Sequence, residues 1–371
     1  MAFLHGKLKE DVFVEQLKGY DKKESEQMVY KLQKALYRLK QAPRDWFSRI
    51  ESYFIKEGFK SSSNEHTLFI KKKGAKILIV SIYVDDLLFT GDDEELLGEF
   101  KCYMKKEFDM TDLGQMRFFL GIEVIQRSDG IFICQRKYAT EVLNRFGIEN
   151  YNSVCNPILP GQKIGKDENG TKVDATLYNQ IVVSLMYLTA TRPDLMFVMS
   201  LISRFMACPT QQHFATTKRV LRYLKGTMNY GVFYKRGGVS DLIGFTNSDY
   251  AGDMEDSKST SGYVFMMSGG AVAWSSRKQP IVTYRLQKLS LCVAYACQAI
   301  WMRRILEEIG HSQTEGTKLM CDNASTIKLS KNPILHGRFK HIRIRFHFLR
   351  DLTKEELLIY YFVVLETNLL I

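Results

Sequence analysis

The sequence predicts an α+β fold in more than one domain, and three observations carry that prediction. A chain of 371 residues, 45% hydrophobic and 12% aromatic, is long and apolar enough for two or three domains with real cores. Short β-rich runs separated by turn formers alternate with segments of helical apolar spacing. A polar stretch from Ser153 to Thr176, holding Pro157, Pro160, Gly161, Gly165 and Gly170, interrupts the pattern and marks a linker or a long surface loop.

Taken in chain order, residues 27–57 carry helical spacing. Pro43 offers a start for a second helix bearing Trp46, Phe47, Ile50 and Phe54, so a helix pair is expected there. Thr67 to Lys71 and Ile77 to Tyr83 read as a hairpin turning through Lys72 to Ala75. Glu94 to Phe108 reads as an amphipathic helix, and Phe118 to Gln126 with Ile131 to Gln135 as a second hairpin turning at Ser128, Asp129 and Gly130. Beyond the polar stretch, residues 177–227 are mostly helical and include the basic stretch Lys218, Arg219, Arg222 and Lys225. Strands are then expected at Val232 to Tyr234, Leu242 to Thr246, Gly262 to Met267 and Ala271 to Trp274, with a helix near 289–309 and a short strand at 318–321.

Lys plus Arg outnumber Asp plus Glu by 52 to 41, a net charge of +11 that favours a polyanionic partner without naming one. Seven scattered cysteines never form a CxxC pair, which points away from a disulfide framework or a zinc site and toward a reducing compartment. Met1 to Glu10 does not read as a signal peptide, and the longest apolar runs, Ile77 to Val84 and Leu357 to Leu365, are far shorter than the roughly 20 residues of a membrane span. An intracellular protein, cytoplasmic or nuclear and not secreted, without a membrane partner, is expected.

The chemistry is suggested by one spot. The apolar run Ile77 to Val84 delivers Asp85 and Asp86 and resumes as Leu87, Leu88 and Phe89. Carboxylates in so apolar a hairpin are costly to bury unless a cation or several donors compensate them. A divalent metal would do so, and phosphoryl transfer uses two Mg²⁺ ions about 4 Å apart held by acids of this kind. The alternative is a pair of aspartates that simply closes a strand at a solvated turn.

The string YVDD from Tyr83 to Asp86, followed by LLFTG, resembles the catalytic hairpin of reverse transcriptases. AFLHGKL at 2–8, EQLKGY at 15–20, YKLQKALYRLKQAPRDW at 30–46, TLFIKK at 67–72 and DLGQMRFFLGIEV at 112–124 occur in the order and spacing of copia-type retrotransposon Pol polyproteins. SLMYLTATRPD at 184–194, RVLRYLKGT at 219–227, SKSTSGYVF at 257–265, AVAWSSRKQP at 271–280 and CDNASTIKLSKNP at 321–333 resemble the connecting segment and RNase H of the same elements. The resemblance implies a partial reverse-transcriptase palm with thumb or connection, followed by an RNase H-like α/β domain. The corresponding modules are residues 1–157, 158–238 and 239–371. It further implies Asp85, Asp86 and Asp322 as catalytic and Mg²⁺-holding residues, and Lys40, Gln41 and Arg44 as contacts to nucleic acid. The partners would be an RNA template and DNA primer or an RNA/DNA hybrid, with dNTP as the small molecule.

Several positions depart from the family pattern. The family writes a further metal-binding aspartate just ahead of AFLHG, where Met1 stands here, so a polymerase site with two of its three acids and without fingers is expected. Arg38 replaces the glycine of YGLKQAPR. In the RNase H pattern, Asn247 occupies the place of the leading aspartate of GYSDADWAG, with Asp249 two residues on. Tyr284 to Ser290 replaces STTEAE with its glutamate, Arg343 stands for an acid in KHIDIR, and Val363 to Ile371 lacks the terminal ADI motif. Codons can be chosen for Tyr284 to Cys292 so that the adjacent frame reads STTEAEFV, which makes a shifted frame our hypothesis; genomic codons other than CGA for Arg285 or CTA for Leu286 refute it. The expectation is therefore an enzyme remnant without activity. A noncatalytic nucleic-acid-binding remnant and a pseudogene product that never accumulates folded are the alternatives.

Two further basic groups bear on a nucleic-acid partner. Lys31 and Lys34 with Lys40 and Arg44 could follow a phosphate backbone or form a solvated helix face. Arg338, Lys340, His341, Arg343, Arg345 and His347 could grip a hybrid duplex, though alternating apolar residues there also suit an exposed strand. Histidine metal ligation is not indicated, since no Cys partner follows.

Overall fold

The computed structural model describes residues 10–16, 28–36, 39–249, 252–279, 284–322, 327 and 343–363. The chain forms two compact units, one of Met1–Gly114 with Arg304–Ser312 and one of Gln115–Arg303 with Gln313–Ile371.

In the first unit, β1 (Phe13–Val14) pairs antiparallel with β2 (Tyr30–Lys31). Then come α1 (Ala42–Lys56), β3 (Lys60–Ser61), β4 (Leu68–Lys73), β5 (Lys76–Tyr83), β6 (Asp86–Gly91) and α2 (Glu94–Phe108). The sheet is antiparallel throughout, in the order β3-β4-β5-β6. Alternation along β5 buries Leu78, Val80 and Ile82, the period-2 pattern of a sheet with one covered face. Both helices cover that face with stripes of residues spaced four apart: Trp46, Ile50 and Phe54 from α1, and Leu96, Phe100, Met104 and Phe108 from α2. Each such side chain contributes roughly 1.5–3 kcal/mol on burial, and the stripe explains why the spacing was readable in the sequence.

Helix ends obey local chemistry. Pro43 occupies the first turn of α1, where its missing N–H costs nothing. Asp93 caps α2 by accepting from the Leu96 amide at 2.9 Å, and Lys105 and Lys106 lie in the last turn, where the dipole favours cations. The expected helix pair over 27–57 is corrected to one helix: among the described residues of 28–41 the backbone is a short strand and irregular chain, with Tyr30 and Lys31 paired to β1. Sheet pairing overrode a weak helical pattern.

The second unit opens with β7 (Phe118–Phe119), β8 (Ile122–Gln126) and β9 (Gly130–Cys134), joined by β10 (Gly231–Lys235) in an antiparallel sheet ordered β10-β9-β8-β7. Beside it lies a helical core of α3 (Arg136–Arg145), α4 (Ala175–Leu188), α5 (Met196–Ile202) and α6 (Gln211–Gly226). α3 was not expected from the sequence. The polar stretch from Ser153 is irregular as expected, until Asp174 caps α4 by accepting from Thr176 N.

The rest of the unit is built on β11 (Ile243–Ser248), β12 (Thr260–Met267), β13 (Gly270–Lys278), α7 (Tyr284–Glu308) as far as Arg303, β14 (Thr317–Cys321), α8 (Arg343–Lys354) and β15 (Leu358–Phe362). The sheet order is β13-β12-β11-β14-β15; β11–β12–β13 is an antiparallel meander, while β14 lies parallel to both β11 and β15. The exposed strand considered around Arg343, Arg345 and His347 is corrected to helix α8. Arg338, Lys340 and His341 lie outside the described residues, as do Arg38 and AFLHGKL. No helix among the described residues is long and apolar enough to cross a membrane.

Candidate active site and nucleic-acid interface

β5 and β6 pair in register to their last residues, Tyr83 opposite Asp86, so Val84 and Asp85 alone make the turn. The two aspartates are therefore not buried within the hairpin, as the apolar flanks suggested; both are exposed at its tip. The apolar run continues into the core only below Tyr83. Val84 has φ +56°, whereas Asp85 is not on the positive side. That combination belongs to a type II′ hairpin turn, whose first central residue is ordinarily glycine. A β-branched residue there strains the backbone by about 1–3 kcal/mol, and such strain persists only where surrounding structure over-determines it.

That surrounding structure is α1. The indole Nε1 of Trp46 donates to the Val84 carbonyl oxygen at 2.7 Å. Trp46 is only 1% exposed, and its ring meets the Phe108 ring edge-on at 5.4 Å. The bond ties the beginning of α1 to the turn bearing Asp85. Lys40 and Arg44 are exposed at that same beginning of α1, while Gln41 is half-buried and donates from Nε2 to Glu10 at 3.1 Å. The fold thus places Lys40, Gln41 and Arg44 at the start of the helix whose Trp46 holds the turn bearing Asp85 and Asp86. Lys31 instead pairs with Asp11 at 2.7 Å. The indole bond was not foreseen: Trp46 was legible only as a core residue, because nothing in its spacing says where the N–H points.

In the second unit the sequence-named acids are set by register. Thr246 of β11 lies opposite Cys321 of β14 in the parallel ladder, so Asn247 and Asp322 are the next residues along two neighbouring strands that run the same way. Carboxyl ends of adjacent parallel strands are where open sheets ordinarily form their sites. Asp322 is exposed there and Asn247 half-buried. Asp249 does not take the place of Asn247. Its carboxylate accepts from the Thr260 amide at 2.6 Å, while its own amide donates to Thr260 O at 3.0 Å, and burial pushes its carboxyl above the ordinary 3.8. The next acid, Asp253, binds Arg204 at 3.2 Å and Lys278 at 2.5 Å. Burial pushes the Asp253 carboxyl up, but hydrogen bonds from Lys278 and from the Glu255 and Asp256 amides outweigh it and hold the group below the usual carboxylate range. The replaced stretch Tyr284 to Ser290 lies in α7, and its side chains fall outside the description.

Three cations of the α6 basic stretch are turned to internal use: Arg222 donates to Asn152 O at 2.7 Å, Lys225 to Tyr151 O at 2.8 Å and to Glu149 O, and Lys218 sits 4.5 Å over the Phe214 ring.

Known proteins resolve which family this geometry serves. The family model described as reverse transcriptase (RNA-dependent DNA polymerase) matches residues 1–160. The retrovirus-related Pol polyprotein from transposon RE1 of Arabidopsis thaliana is 37% identical over 353 residues, 94% of this chain and 24% of that protein. A putative transposon Ty5-1 protein of Saccharomyces cerevisiae is 30% identical over 279 residues, 75% of this chain and 91% of that protein. The chain belongs to the copia-type retrotransposon Pol polyproteins. The Pol polyprotein of transposon TNT 1-94 from Nicotiana tabacum is similar to the same degree, 35% over 96% of this chain and 28% of its own length. The chain spans about a quarter of the length of the RE1 and TNT 1-94 relatives. Among solved structures, the foamy viral protease-reverse transcriptase dRH in complex with double-stranded DNA shares the fold, with a TM-score of 0.51 at 13% identity over 91% of this chain and 52% of that one.

Whether this copia-type chain fits magnesium can be asked of its donors. Mg²⁺ takes hard oxygens in octahedral geometry and is commonly held by one or two carboxylates plus substrate phosphates. Asp85 and Asp86, adjacent and exposed, are donors of that kind. Among the described residues no group of three or more His, Cys, Asp or Glu is assembled.

Proposed function

We propose that this stretch of a copia-type Pol polyprotein binds an RNA template with its DNA primer, or an RNA/DNA hybrid, and carries part of a two-metal phosphoryl-transfer site. The observation that bears most of the weight is the exposed Asp85–Asp86 pair at the tip of an otherwise apolar hairpin, held beside the start of α1. In this reading Asp85 and Asp86 hold Mg²⁺, and Lys40, Gln41 and Arg44 meet phosphates or bases of the bound strands. Bound magnesium supplies Lewis-acid activation of a primer 3′ oxygen and charge neutralisation on the departing phosphates of a dNTP. The exposed cations contribute affinity through counterion release, which makes binding steeply salt-dependent. The double-stranded DNA in the foamy viral relative's structure is consistent with such a partner.

We further propose three modules by descent: a palm at 1–157, a helical connection at 158–238 and a degenerate RNase H-like domain at 239–371. The order β13-β12-β11-β14-β15, an antiparallel meander flanked by two parallel strands, supports the last. Asn247 beside Asp322 argues against hydrolysis there, since a neutral amide is a poorer Mg²⁺ ligand than a carboxylate. With that amide in place, cleavage of a hybrid at this sheet end is not expected.

Primer extension on an RNA template with Mg²⁺, run beside a binding assay at several salt concentrations, tests the proposal. Salt-sensitive binding without cleavage is expected. Synthesis that disappears in D85N would support the Asp85–Asp86 pair as part of a polymerase site, synthesis indifferent to D85N would remove the pair from it, and absent binding would remove nucleic acid as the chain's partner.

A further inference from the structure

We infer that Trp46 is the positioning residue of the Asp85–Asp86 turn. This rests on the polymerase reading only for what the turn does, not for how it is held. The carbonyl that accepts the indole N–H belongs to the central peptide of the turn, between Val84 and Asp85. Type I′ and type II′ hairpin turns differ chiefly by a flip of that peptide, which reverses its carbonyl and swings the second central residue from φ above zero to φ below it. The second central residue is Asp85. The direction of its carboxylate therefore depends on which way the Val84 carbonyl points.

Local sequence does not make that choice. The pair Val84-Asp85 lacks the glycine that type II′ requires at its first position and the Asn-Gly or Asp-Gly pair that favours type I′. The observed conformer keeps valine at φ +56°. What selects it comes from 38 residues away: the indole is a donor with no acceptor, so its bond to the carbonyl has one possible sense. The donor is itself immobile. Trp46 lies in the buried stripe with Ile50 and Phe54, with Phe108 edge-on against the ring, so it can hold the peptide where an exposed side chain would yield.

The test uses the full chain with Trp46→Phe, with 3-benzothienylalanine at position 46, which keeps the bicyclic shape without an N–H, and with Val84→Gly added to each. Amide hydrogen exchange across Tyr83 to Leu87 reads the turn directly, and Mn²⁺ affinity by electron paramagnetic resonance reads the carboxylates. Both replacements of Trp46 should speed exchange about tenfold or more and weaken Mn²⁺ about tenfold, while melting of the benzothienyl protein stays near wild type. Val84→Gly should recover most of both losses, because glycine favours the type II′ conformer unaided. Exchange unchanged by the benzothienyl replacement overturns the inference, as does Mn²⁺ affinity that Trp46 replacements leave intact while D85N abolishes it. Faster exchange with Mn²⁺ affinity indifferent to D85N leaves Trp46 in its role and removes the metal from the proposed function instead.

Discussion

The tip of the β5–β6 hairpin and the ends of β11 and β14 present side chains by opposite means. At the hairpin tip, two aspartates stand on a turn of only two residues, one of them strained, whose conformation leans on a bond from a helix 38 residues earlier. At the sheet end, Asn247 and Asp322 follow from parallel strands in the interior of a five-stranded sheet, where ladder hydrogen bonds set the register. The first arrangement is sensitive to a remote buried side chain. The second is sensitive to the identity of the residue at the strand end. Carboxylates also differ in employment: Asp85 and Asp86 are exposed, whereas Asp249 and Asp253 are taken up in holding the chain between β11 and β12.

The strongest challenge to the first arrangement is Trp46→Ala. Losing a fully buried indole should cost roughly 3–5 kcal/mol, measured by urea unfolding. A cost below about 1 kcal/mol would mean that α1 does not anchor the hairpin.

The structural carboxylates give the next effect. Asp253→Asn leaves Arg204 and Lys278 facing each other around a neutral amide and should cost about 2–3 kcal/mol at pH 7. Because the folded Asp253 carboxyl is held below its ordinary 3.8, its stabilisation is complete above that value and is lost as pH falls through the lower folded one. Asp249 has the opposite sign: with its folded carboxyl raised by burial, stability declines as pH rises from 3.8 through the folded value. Asp249→Asn keeps an acceptor for the Thr260 amide and should flatten that decline, while Asp253→Asn removes the loss at lower pH. Acid titrations of unfolding free energy that show the same sign for both would break the distinction.

At the strand ends, Asn247→Asp places a second carboxylate beside Asp322 and should tighten Mn²⁺ binding there about tenfold, near 1.4 kcal/mol. No gain would mean that the two strand ends do not converge on one ion. The smallest effect belongs to the exposed cations: Lys40→Ala with Arg44→Ala should weaken binding to a primer–template modestly and lower the slope of log affinity against log salt by roughly 2. An unchanged slope would remove the start of α1 from the interface.

Much of the fold was legible because burial writes periodicity. The stripe of α2 from Leu96 to Phe108 and the alternation of β5 appear in the sequence as they do in the structure, bounded at Glu94 and Phe108 by a capping aspartate and a left-handed Asp109. Where apolar spacing was weak, pairing decided: Tyr30 and Lys31 joined β1 rather than a helix. Arg343 to Lys354 became a helix although part of it alternated like a strand. α3 leaves little trace in the sequence because a ten-residue helix with buried Ala139, Val142 and Leu143 offers barely two turns of pattern.

For the site, the motif YVDD and the neighbouring QAPRDW named the residues, but apolar flanks suggested burial that a two-residue turn does not permit. The sequence by itself determined the family, the alternation of helices and strands and the neutral residue at Asn247, because these depend on residue identity and short spacing. Only the tertiary structure decided that the aspartates stand in solvent, that Trp46 points its one donor at the turn before them, and that Asn247 and Asp322 are neighbours. Those facts depend on which distant segments meet, and a hydrogen bond across 38 residues or a parallel register across 75 leaves no local trace.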